Sequence, residues 1–516
     1  MSIRRIVALA FLLAPALPSL PGQDKPGSPV ETITAEAIRH HVYFLASDAL
    51  EGRYTGSAGF LTAIQYGESQ FRSAGLKPAV KSGDHMSYLQ PVPAVKRTSK
   101  AEPELSVKTP KGETKYIHGK DFRWLDGEIL GCEGKPLSAV FVGYGIHEPA
   151  AGWDDFQGVD VKGKVLIMRP GAPMKNGRPV LPEDLHKKYA SAAAPWQAKL
   201  GAAMLMPAAA ILIPAEGAML KAWDKIPAQT NEPQISLNDR TPGAWSIVSI
   251  IAVKPDVVEA LFAGQTRAWP RPEAKDTSQL RGFDLKDVTL FLTTSFEDEE
   301  VPAMNVVGVV EGTDPVLKNE YIAVTAHLDH LAPRNGQIMN GADDNASGCA
   351  GVMEIAEAVA QQPFKRSVVF VLFSGEELMA LGSRYFLSVC PVPRDKIIAD
   401  INLDMIGRTD KAGEADRAHY ALDTDSVRPE FKALIREVNE RTVRWPLTYE
   451  IQPDNGSDNL VFNLMGKVPG VFFYSGNQPD LHRPTDDADK IDYDKAEKIS
   501  RLAYEIVKEL ATRAVF

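Results

Sequence analysis

The stretch that decides the fold is Tyr321–Gly348, YIAVTAHLDHLAPRNGQIMNGADDNASG. Its opening run, YIAVTA, is apolar and partly β-branched, which predicts a buried strand. His327 and Asp329 follow that run, and Asp343 and Asp344 come after an intervening loop. Because ligands of open α/β sheets collect outside the carboxyl ends of the strands, we expect these side chains to lie together there. The stretch therefore predicts a metal site.

Strand-type and helical patterns alternate along the C-terminal part of the chain. The strand-type runs cover 305–310, 321–326, 367–373, 397–404 and 468–474, and the helical patterns cover about 347–361, 377–389, 429–441 and 492–513. Such alternation is typical of an α/β sheet. We therefore predict an α/β fold with helices on both faces of the sheet.

The N-terminal part of the chain has a different pattern. Two helices are predicted, one over 33–50 with Thr34 as its N-cap and one over 60–74 with Gly75 as its C-cap. The loop between them, LEGRYTGSAG, has the Gly-rich composition of a connector. From about 96 to 286, short β-type runs are broken by Gly and Pro, which predicts a separate β-rich domain.

Length, charge and cysteine content limit the functional classes. A chain of 516 residues exceeds one ordinary core, so two or more domains are expected. The formal net charge of -10 disfavours binding to nucleic acid or to anionic membranes. Three cysteines, Cys132, Cys349 and Cys390, permit at most one intramolecular disulfide, and we expect them to be buried small residues.

Residues 1–22 are typical of a secretory signal peptide. Arg4 and Arg5 precede an apolar run that ends near Leu17, and the prolines beyond it argue against a buried helix. We therefore expect an exported protein, periplasmic or extracellular. No later stretch is long enough and sufficiently free of charge to span a bilayer.

Metal-seeking side chains recur where the strand-type runs end. They are His327, Asp329, Asp344, Glu376, Glu377, Asp404 and His482. Imidazole and carboxylate are the ligands that zinc accepts in catalytic sites. This set exceeds what one tetrahedral zinc needs, whereas two ions about 3.5–4 Å apart and bridged by a carboxylate use all of it.

The order of five short motifs carries a family resemblance. The motifs HLD, GADDNASG, SGEE, NLDMIG and a late H-x-P-T-D resemble those of the secreted co-catalytic dizinc aminopeptidases, a family that includes glutamate carboxypeptidase II and the transferrin receptor. FLASDALEGRYTG and FRSAGLKP resemble the family's N-terminal helical region. FVGYGI and GWDDFQGVDVKGKVLIM resemble its inserted protease-associated domain.

The resemblance implies a fold and a division of the chain. The fold is zinc-exopeptidase-like, that is, α/β with a mixed central sheet and helices on both faces, plus the inserted β-rich domain. The catalytic domain is discontinuous and comprises 31–95 and 287–516. The inserted region is 96–286, with the protease-associated domain at about 135–270.

The resemblance also implies a role for each metal-seeking residue. The implied zinc ligands are His327 and Asp404 for one ion, Glu377 and His482 for the other, and Asp344 as the bridge. Glu376 is the implied general base, and Asp329 is expected to hold the imidazole of His327 in the correct tautomer. The family also has a cis peptide after the bridging aspartate, here Asp344–Asn345. His330 has no implied role, and we expect it to be a pocket or core residue.

Two positions depart from the family pattern. In many members a Tyr that donates to the oxyanion precedes the last His ligand, whereas Leu481 at this position cannot donate. Losing such a donor typically costs about 10²- to 10³-fold in rate unless a residue such as Tyr474 replaces it. Asn459, in GSDN, stands where the family often has His.

Three other functional classes fit the sequence less well. Residues 343–354 match a calcium-loop pattern, but that loop must lie between two helices and here a strand precedes it. Motifs of serine hydrolases, HExxH proteases and P-loop proteins are absent from the sequence. An inactive, receptor-like peptidase fold should have lost metal ligands, and all five are present.

We therefore predict an exported dizinc metallopeptidase that acts on peptides by attack of a zinc-bound water, with Glu376 as general base. The expected activity is that of an aminopeptidase that releases N-terminal residues. A carboxypeptidase or dipeptidase on the same dizinc site stays open. Arg334, Arg408 and Arg483 lie near the proposed site in sequence, and arginine is the residue that binds a free carboxylate.

Overall fold

The computed structural model describes residues 27–126, 133–190, 208–226, 233–238, 248–269, 274–409, 416–421, 429–452 and 456–514. The predicted signal peptide at 1–22 and Cys132 lie outside the described residues. Within the described ranges, no helix has both the length and the apolar character needed to cross a membrane.

The strands follow one another along the whole chain. They are β1 (Lys77–Pro78), β2 (Val80–Ser82), β3 (His85–Ser87), β4 (Leu89–Thr109), β5 (Gly112–Ile117), β6 (Phe122–Asp126), β7 (Glu133–Phe141), β8 (His147–Glu148), β9 (Trp153–Asp154), β10 (Val165–Ile167), β11 (Met174–Lys175), β12 (Arg178–Pro179), β13 (Ala210–Pro214), β14 (Gln234–Leu237), β15 (Ile250–Val253), β16 (Phe283–Val310), β17 (Tyr321–His327), β18 (Ser367–Phe373), β19 (Ile397–Leu403), β20 (Asp416–Ala421), β21 (Leu447–Gln452) and β22 (Gly470–Tyr474).

The α-helices lie mostly at the two ends of the chain. They are α1 (Ala35–Leu45), α2 (Ala58–Ser73), α3 (Glu183–Ala190), α4 (Gly217–Lys221), α5 (Pro255–Phe262), α6 (Gly348–Gln361), α7 (Leu381–Ser388), α8 (Pro429–Arg441), α9 (Asp458–Val461) and α10 (Tyr493–Thr512).

One mixed sheet of 16 strands runs through the described part of the molecule, in the order β21-β20-β22-β19-β17-β18-β16-β7-β10-β13-β15-β6 with β1, β4, β5 and β14 joined to it. Strands β18, β17, β19 and β22 are parallel to one another. Strand β16 is antiparallel to β18, and β20 is antiparallel to β22. The predicted α/β fold with a mixed central sheet is confirmed.

The two faces of this sheet are both covered by helices. Side chains of β18 alternate between two cores: Val368, Phe370 and Leu372 pack in one, and Val369, Val371 and Phe373 pack in the other. The first core contains apolar residues of α1, α2, α6, α8 and α10. The second contains residues of α7 and α9. Burial on both sides explains why SVVFVLF is a continuous apolar run rather than an alternating one.

The two predicted N-terminal helices are present as α1 and α2. The side chain of Thr34 accepts the N–H of Ala37 and caps α1, as predicted. Gly75, with φ of 83°, follows the end of α2 in the left-handed conformation that favours glycine.

The β-rich region predicted from about 96 to 286 contains the short strands β7, β10, β13 and β15, and a long strand crosses each of its boundaries. Strand β4 is 21 residues long and β16 is 28 residues long, and they pair in antiparallel register from Leu89↔Val306 to Thr289↔Lys108. The prolines of β4 interrupt its pattern in the sequence. Pairing with β16 over most of its length nevertheless holds it extended.

The long pair joins two separate cores. Around its far end lies a core of strand residues that includes Leu105, Trp124, Phe141, Ile251 and Leu290. The strands beside this core are β7, β10, β13 and β15, which are parallel to one another. Strand β6 pairs with β15 at the edge of the sheet. The division of the chain at residues 96 and 286 stays a prediction.

The predicted helix at 377–389 begins too early, because α7 begins at Leu381. Met379 and Ala380 have φ of 65° and 56°, so the chain makes a left-handed turn in place of a first helical turn. The N–H of Leu381 donates to the carbonyl of Gly375, which folds the turn back onto the end of β18. Glu376 and Glu377 therefore lie in a loop.

The two described cysteines are free. Cys349 is buried, as expected, and its thiol donates to the main-chain oxygen of His327. Cys390 is only partly buried. Among the described residues, disulfides therefore make no contribution to the fold.

Arg53 connects the N-terminal helices to the segment that precedes Asp344. It is 1% exposed, and its guanidinium donates to the main-chain oxygens of Leu328, Leu45, Asn340 and Gly341. The loop LEGRYTGSAG, predicted from its composition to be a connector, therefore positions two other segments through one buried side chain.

We expect Arg53→Met to destabilise the fold by about 3 kcal/mol or more, since each buried carbonyl left without a donor costs about 1–3 kcal/mol. The measurement is the free energy of unfolding in guanidinium chloride. Arg72→Met is the matched control, because Arg72 is exposed and contacts only side-chain partners, namely the carboxylate of Glu68 in its own helix and the ring of Tyr88. Equal stability of the two variants would show that the four carbonyl contacts of Arg53 carry no net stabilisation.

Candidate metal centre

The candidate ligands converge because adjacent parallel strands end at the same edge of the sheet. His327 is the last residue of β17, and Asp404 directly follows β19. Glu376 and Glu377 follow β18, on the other side of β17. The loop after β22, the neighbour of β19, carries His482. The crevice is therefore fixed by the register of four parallel strands.

A first group of ligand atoms surrounds His327. Its Nε2 atom lies 3.4 Å from Oδ1 of Asp344 and 3.3 Å from Oδ2 of Asp404. The three atoms lie close enough together to hold one metal ion. All three residues are buried.

A second group of ligand atoms surrounds the other carboxylate oxygen of Asp344. Nε2 of His482 lies 3.1 Å from Oδ2 of Asp344 and 3.3 Å from Oε2 of Glu377. Nδ1 of His330 lies 2.8 Å from Oε1 of Glu377 and 3.6 Å from Oδ2 of Asp344. Asp344 therefore presents one oxygen to each group, which is the arrangement of a bridging carboxylate.

The spacing and the unpaired atoms of both groups fit a metal pair. Ligand atoms about 2.0–2.1 Å from a tetrahedral zinc lie about 3.3–3.4 Å apart, which is the spacing around His327. Among the described residues, Nε2 of His327, Oδ1 of Asp404 and Oε1 of Glu377 are buried atoms without a hydrogen-bond partner. Buried polar atoms are normally paired, so these atoms have the surroundings expected of metal ligands.

The tautomer of His327 is set by a main-chain group. Nδ1 of His327 donates to the carbonyl oxygen of Asp329 at 3.1 Å, which leaves Nε2 with the lone pair that a metal ligand needs. The carboxylate of Asp329 lies 3.8 Å from the same Nδ1 atom, and its Oδ1 accepts the N–H of Glu376. Asp329 thus contacts both the imidazole and the loop of the two glutamates.

Glu376 lies beside the first group without belonging to either group. Its Oε2 atom is 3.9 Å from Nε2 of His327. Burial, with the charge of Asp404 adding to it, raises the pKa of Glu376 well above its usual range. A carboxylate with a raised pKa is suited to accept and return a proton near neutral pH.

The position of Asp344 is held by main-chain contacts on both sides. The carboxylate of Asp486 accepts the N–H groups of Asp343 and Asp344 at 3.1 Å. On the other side, Asn345 donates to the carbonyl of Leu403 at the end of β19. The peptide between Asp344 and Asn345 is cis, as the family resemblance implied.

Two further residues of the same segment have other contacts. Asp343, which the opening stretch places beside Asp344, faces away from the metal groups and accepts the N–H of Gly407. Glu354, the last position of the calcium-loop pattern, lies 3.1 Å from His41 instead. The pattern therefore does not converge on one ion.

Two residues of the centre, His482 and Asp329, have raised pKa values. Hydrogen bonds to Asp344 and to Glu377 raise the pKa of His482 to about 10. Burial raises the pKa of Asp329 to about 6. Because imidazoles and carboxylates bind metal ions only after losing their protons, metal affinity falls as the pH is lowered.

Leu481 and Asn459, the two positions that depart from the family pattern, both form hydrogen bonds with residues close to them in sequence. Leu481 donates its N–H to the carbonyl of Gln478 and offers no side-chain donor. Tyr474, the suggested replacement, contacts Asn477 through its hydroxyl group. Asn459 is buried and accepts the N–H of Ser457. The neighbouring Asp458 accepts a hydrogen bond from Ser383.

Sequence reasoning assigned no role to Arg53 or His330, and it noted Asp486 only as part of a motif. Asp486 had a usable signal, because it ends the motif H-x-P-T-D after His482. His330 follows Asp329 directly and is itself a metal-seeking residue type. For Arg53 the only signal was an arginine within a loop otherwise typical of a connector.

Comparisons with known proteins find a family model that matches the part of the chain containing this centre. Residues 305–507 match the family model described as Peptidase family M28. Leupeptin-inactivating enzyme 1 of Streptomyces exfoliatus is 28% identical over 194 residues, which is 36% of this chain and 40% of the relative. Aminopeptidase YwaD of Bacillus subtilis (strain 168) is 30% identical over 116 residues, which is 22% of this chain and 24% of the relative. The aligned part thus spans less than half of each relative.

Solved structures similar to this chain include the aminopeptidase from Aneurinibacillus sp. strain AM-1. The TM-score is 0.48 at 19% identity, over 95% of this chain and 96% of that one. A zinc aminopeptidase from Bacillus subtilis has a TM-score of 0.45 at 18% identity, over 94% of this chain and 97% of that one.

We expect Asp486→Asn to weaken zinc binding about 10- to 100-fold, the usual loss when a residue that positions a ligand is changed. The amide keeps only one acceptor oxygen where three N–H contacts now converge. Competition with a chromophoric chelator measures the zinc affinity. Asp487→Asn is the control, because the partly exposed neighbour contacts neither Asp343 nor Asp344 in the described structure. Unchanged affinity of Asp486→Asn would contradict a role in holding the bridge.

Proposed function

We propose that the protein is a dizinc aminopeptidase that releases N-terminal residues from peptides, and the match of residues 305–507 to the model of Peptidase family M28 supports the proposal. The observation that carries the proposal is the carboxylate of Asp344, whose two oxygens face two separate groups of ligand atoms. A site for a single metal ion, calcium included, would need only one of these two groups of ligand atoms.

The proposed ligands follow the family resemblance and the distances within the two groups. His327, Asp344 and Asp404 would hold one ion, and Asp344, Glu377 and His482 would hold the other. When bound, a zinc pair lowers the pKa of a coordinated water toward about 7 and polarises the substrate carbonyl. This chain's residues fix the positions of the ions and limit the access of bulk water, because His327, Asp344 and Asp404 are buried and Glu377 is only partly exposed.

Glu376 is the proposed general base. Its main-chain N–H is fixed by Asp329, and its carboxylate stays outside both ligand groups, so its side chain is available to take a proton. The two glutamates lie beside different groups: Glu376 is 3.9 Å from His327 of the first group, and Glu377 is 3.3 Å from His482 of the second. The carboxylate of Glu376 then returns the proton to the leaving amine.

An aminopeptidase is favoured over a carboxypeptidase by the partners of the nearby arginines. Arg408 donates to Oδ2 of Asp480 at 3.0 Å, and Lys490 lies 3.2 Å from the other oxygen of Asp480. Hydrogen bonds, first that of Thr485 and then that of Arg408, lower the pKa of Asp480 to about 2. Arg334 and Arg483 are exposed. Arg408 is thus the one of these three arginines that is not exposed, and its Nη2 atom is already paired with the carboxylate of Asp480.

We extend the proposal to domain organisation and location. Residues 31–95 and 287–516 form the catalytic domain, and 96–286 is an inserted region with a protease-associated domain at about 135–270. The separate core around β7, β10, β13 and β15 supports this division. Residues 1–22 direct export, so the enzyme acts in the periplasm or outside the cell.

We expect Glu376→Gln to bind two zinc ions per chain and to lose about 10²- to 10⁴-fold in kcat, the usual contribution of a general base. Zinc content by mass spectrometry and hydrolysis of an aminoacyl anilide measure the two effects in one sample. Glu377→Gln is the matched control, because it should lose metal as well as activity. Full activity of Glu376→Gln would remove the assigned base.

We expect the zinc-loaded protein to hydrolyse peptides with a free N-terminal amine and to leave the same peptides uncleaved after N-acetylation. A carboxypeptidase gives the opposite dependence, since it needs the free C-terminal carboxylate and tolerates the blocked amine. Product analysis of one peptide in free, N-acetylated and C-amidated forms decides between the two. Cleavage only of the form with a free C-terminus would overturn the aminopeptidase assignment.

A further inference from the structure

His330 lies inside the centre but belongs to no role described above. It is fully buried, and its Nδ1 atom lies 2.8 Å from Oε1 of Glu377 and 3.6 Å from Oδ2 of Asp344. In the described part of the chain, neither ring nitrogen of His330 has a hydrogen-bond partner. Burying an imidazole with both nitrogens unpaired costs free energy of folding unless a ligand binds one of those nitrogens.

The contact between His330 and Glu377 is short but lacks the alignment of a regular hydrogen bond. Nδ1 of His330 and Oε1 of Glu377 are 2.8 Å apart, yet neither atom has a partner with hydrogen-bond geometry in the described part of the chain. Ligand atoms of His330, Glu377 and Asp344 lie close enough together to hold one metal ion.

The orientation of the His330 ring is fixed by its surroundings. Its main-chain N–H donates to the carbonyl of Arg53. Its ring packs edge-on against the ring of His482, with centroids 5.8 Å apart. A Cβ atom at Gly341 would lie 2.6 Å from the His330 ring, so the backbone itself borders the imidazole. Glycine at 341, with φ of 60°, allows this approach.

We propose that His330 is a fourth protein ligand of the second metal ion, through Nδ1, beside Asp344, Glu377 and His482. The inference rests on the proposed dizinc function and makes the two ions unequal. The first ion has three protein ligands and keeps an open position for a reacting group, as catalytic zinc sites do. The second has four, as closed sites do, and is the more firmly held of the two.

The alternative role of His330 is to orient Glu377 by hydrogen bonding, with no bond to metal. The two roles differ in one distance, because a zinc ligand lies about 2.0–2.1 Å from the ion whereas an orienting residue stays beyond the ligand it contacts. They also differ in the order of metal loss. A fourth ligand makes removal of zinc by a chelator biphasic, with the second ion retained longest.

The deciding measurement is a crystal structure of the full wild-type chain loaded with zinc, with each ion located by anomalous scattering at the zinc edge. We expect two ions, one of them about 2.0–2.1 Å from Nδ1 of His330. In solution, His330→Gln should bind the second zinc at least about 10-fold more weakly in chelator competition, while the first zinc is retained. His41→Gln is the matched control, because His41 is also a buried histidine beside a carboxylate, Glu354, but lies outside both metal groups.

Each outcome bears on the inference. Two bound ions with Nδ1 of His330 beyond bonding distance would overturn it and leave the dizinc proposal intact. Failure of the wild-type chain to bind zinc would overturn both. Equal zinc affinities of His330→Gln, His41→Gln and wild type would also overturn the fourth-ligand assignment. If His330→Gln does not fold, as judged by circular dichroism, the wild-type distance alone decides.

Discussion

The carboxylate of Asp344 has to face two groups of ligand atoms at once, and the surrounding structure keeps it in that position. Asp486 accepts the main-chain N–H groups on one side of it, and Asn345 ties the other side to the end of β19. A Cβ atom at Gly348 would lie 2.2 Å from the carbonyl of Leu403, so glycine is needed where α6 begins. This close approach brings the segment of Asp344 against Asp404.

The second constraint is electrostatic. Asp344, Glu376, Glu377 and Asp404 bring four carboxyl groups to one crevice. Burial, with the charge of Asp404 adding to it, raises the pKa of Glu376 well above its usual range. The pKa values of Asp344 and Glu377 are lowered instead, because the neighbouring histidines outweigh the effect of burial. Two divalent cations compensate such a set better than the neighbouring imidazoles do, because each carries two charges and accepts several oxygens. The choice of ligands and the burial of the crevice thus point to the same chemistry.

The sequence was sufficient where local pattern determines structure. Apolar runs with a clear end marked β17, β18 and β19, and their parallel arrangement brought His327 and Asp404 together as expected. It was insufficient where distant segments determine the outcome. The start of α7 moved to Leu381 because its first turn bonds back to the end of β18. The role of Arg53 depends on carbonyls nearly 300 residues away, which no local pattern reveals. The unpaired nitrogens of His330 likewise become visible only in three dimensions.

The long strand β16 shows why the two cores that it joins cannot be placed independently. Val306–Val310 pair with β18, the strand that leads to the two glutamates, whereas Phe283–Thr293 pair with β7 of the other core. A one-residue slip of β16 would turn each of its side chains to the opposite face. It would exchange Val306 and Val307, which now pack in different cores on the two faces of the sheet. The register that positions the candidate metal centre therefore also fixes how β16 continues to β7 of the other core.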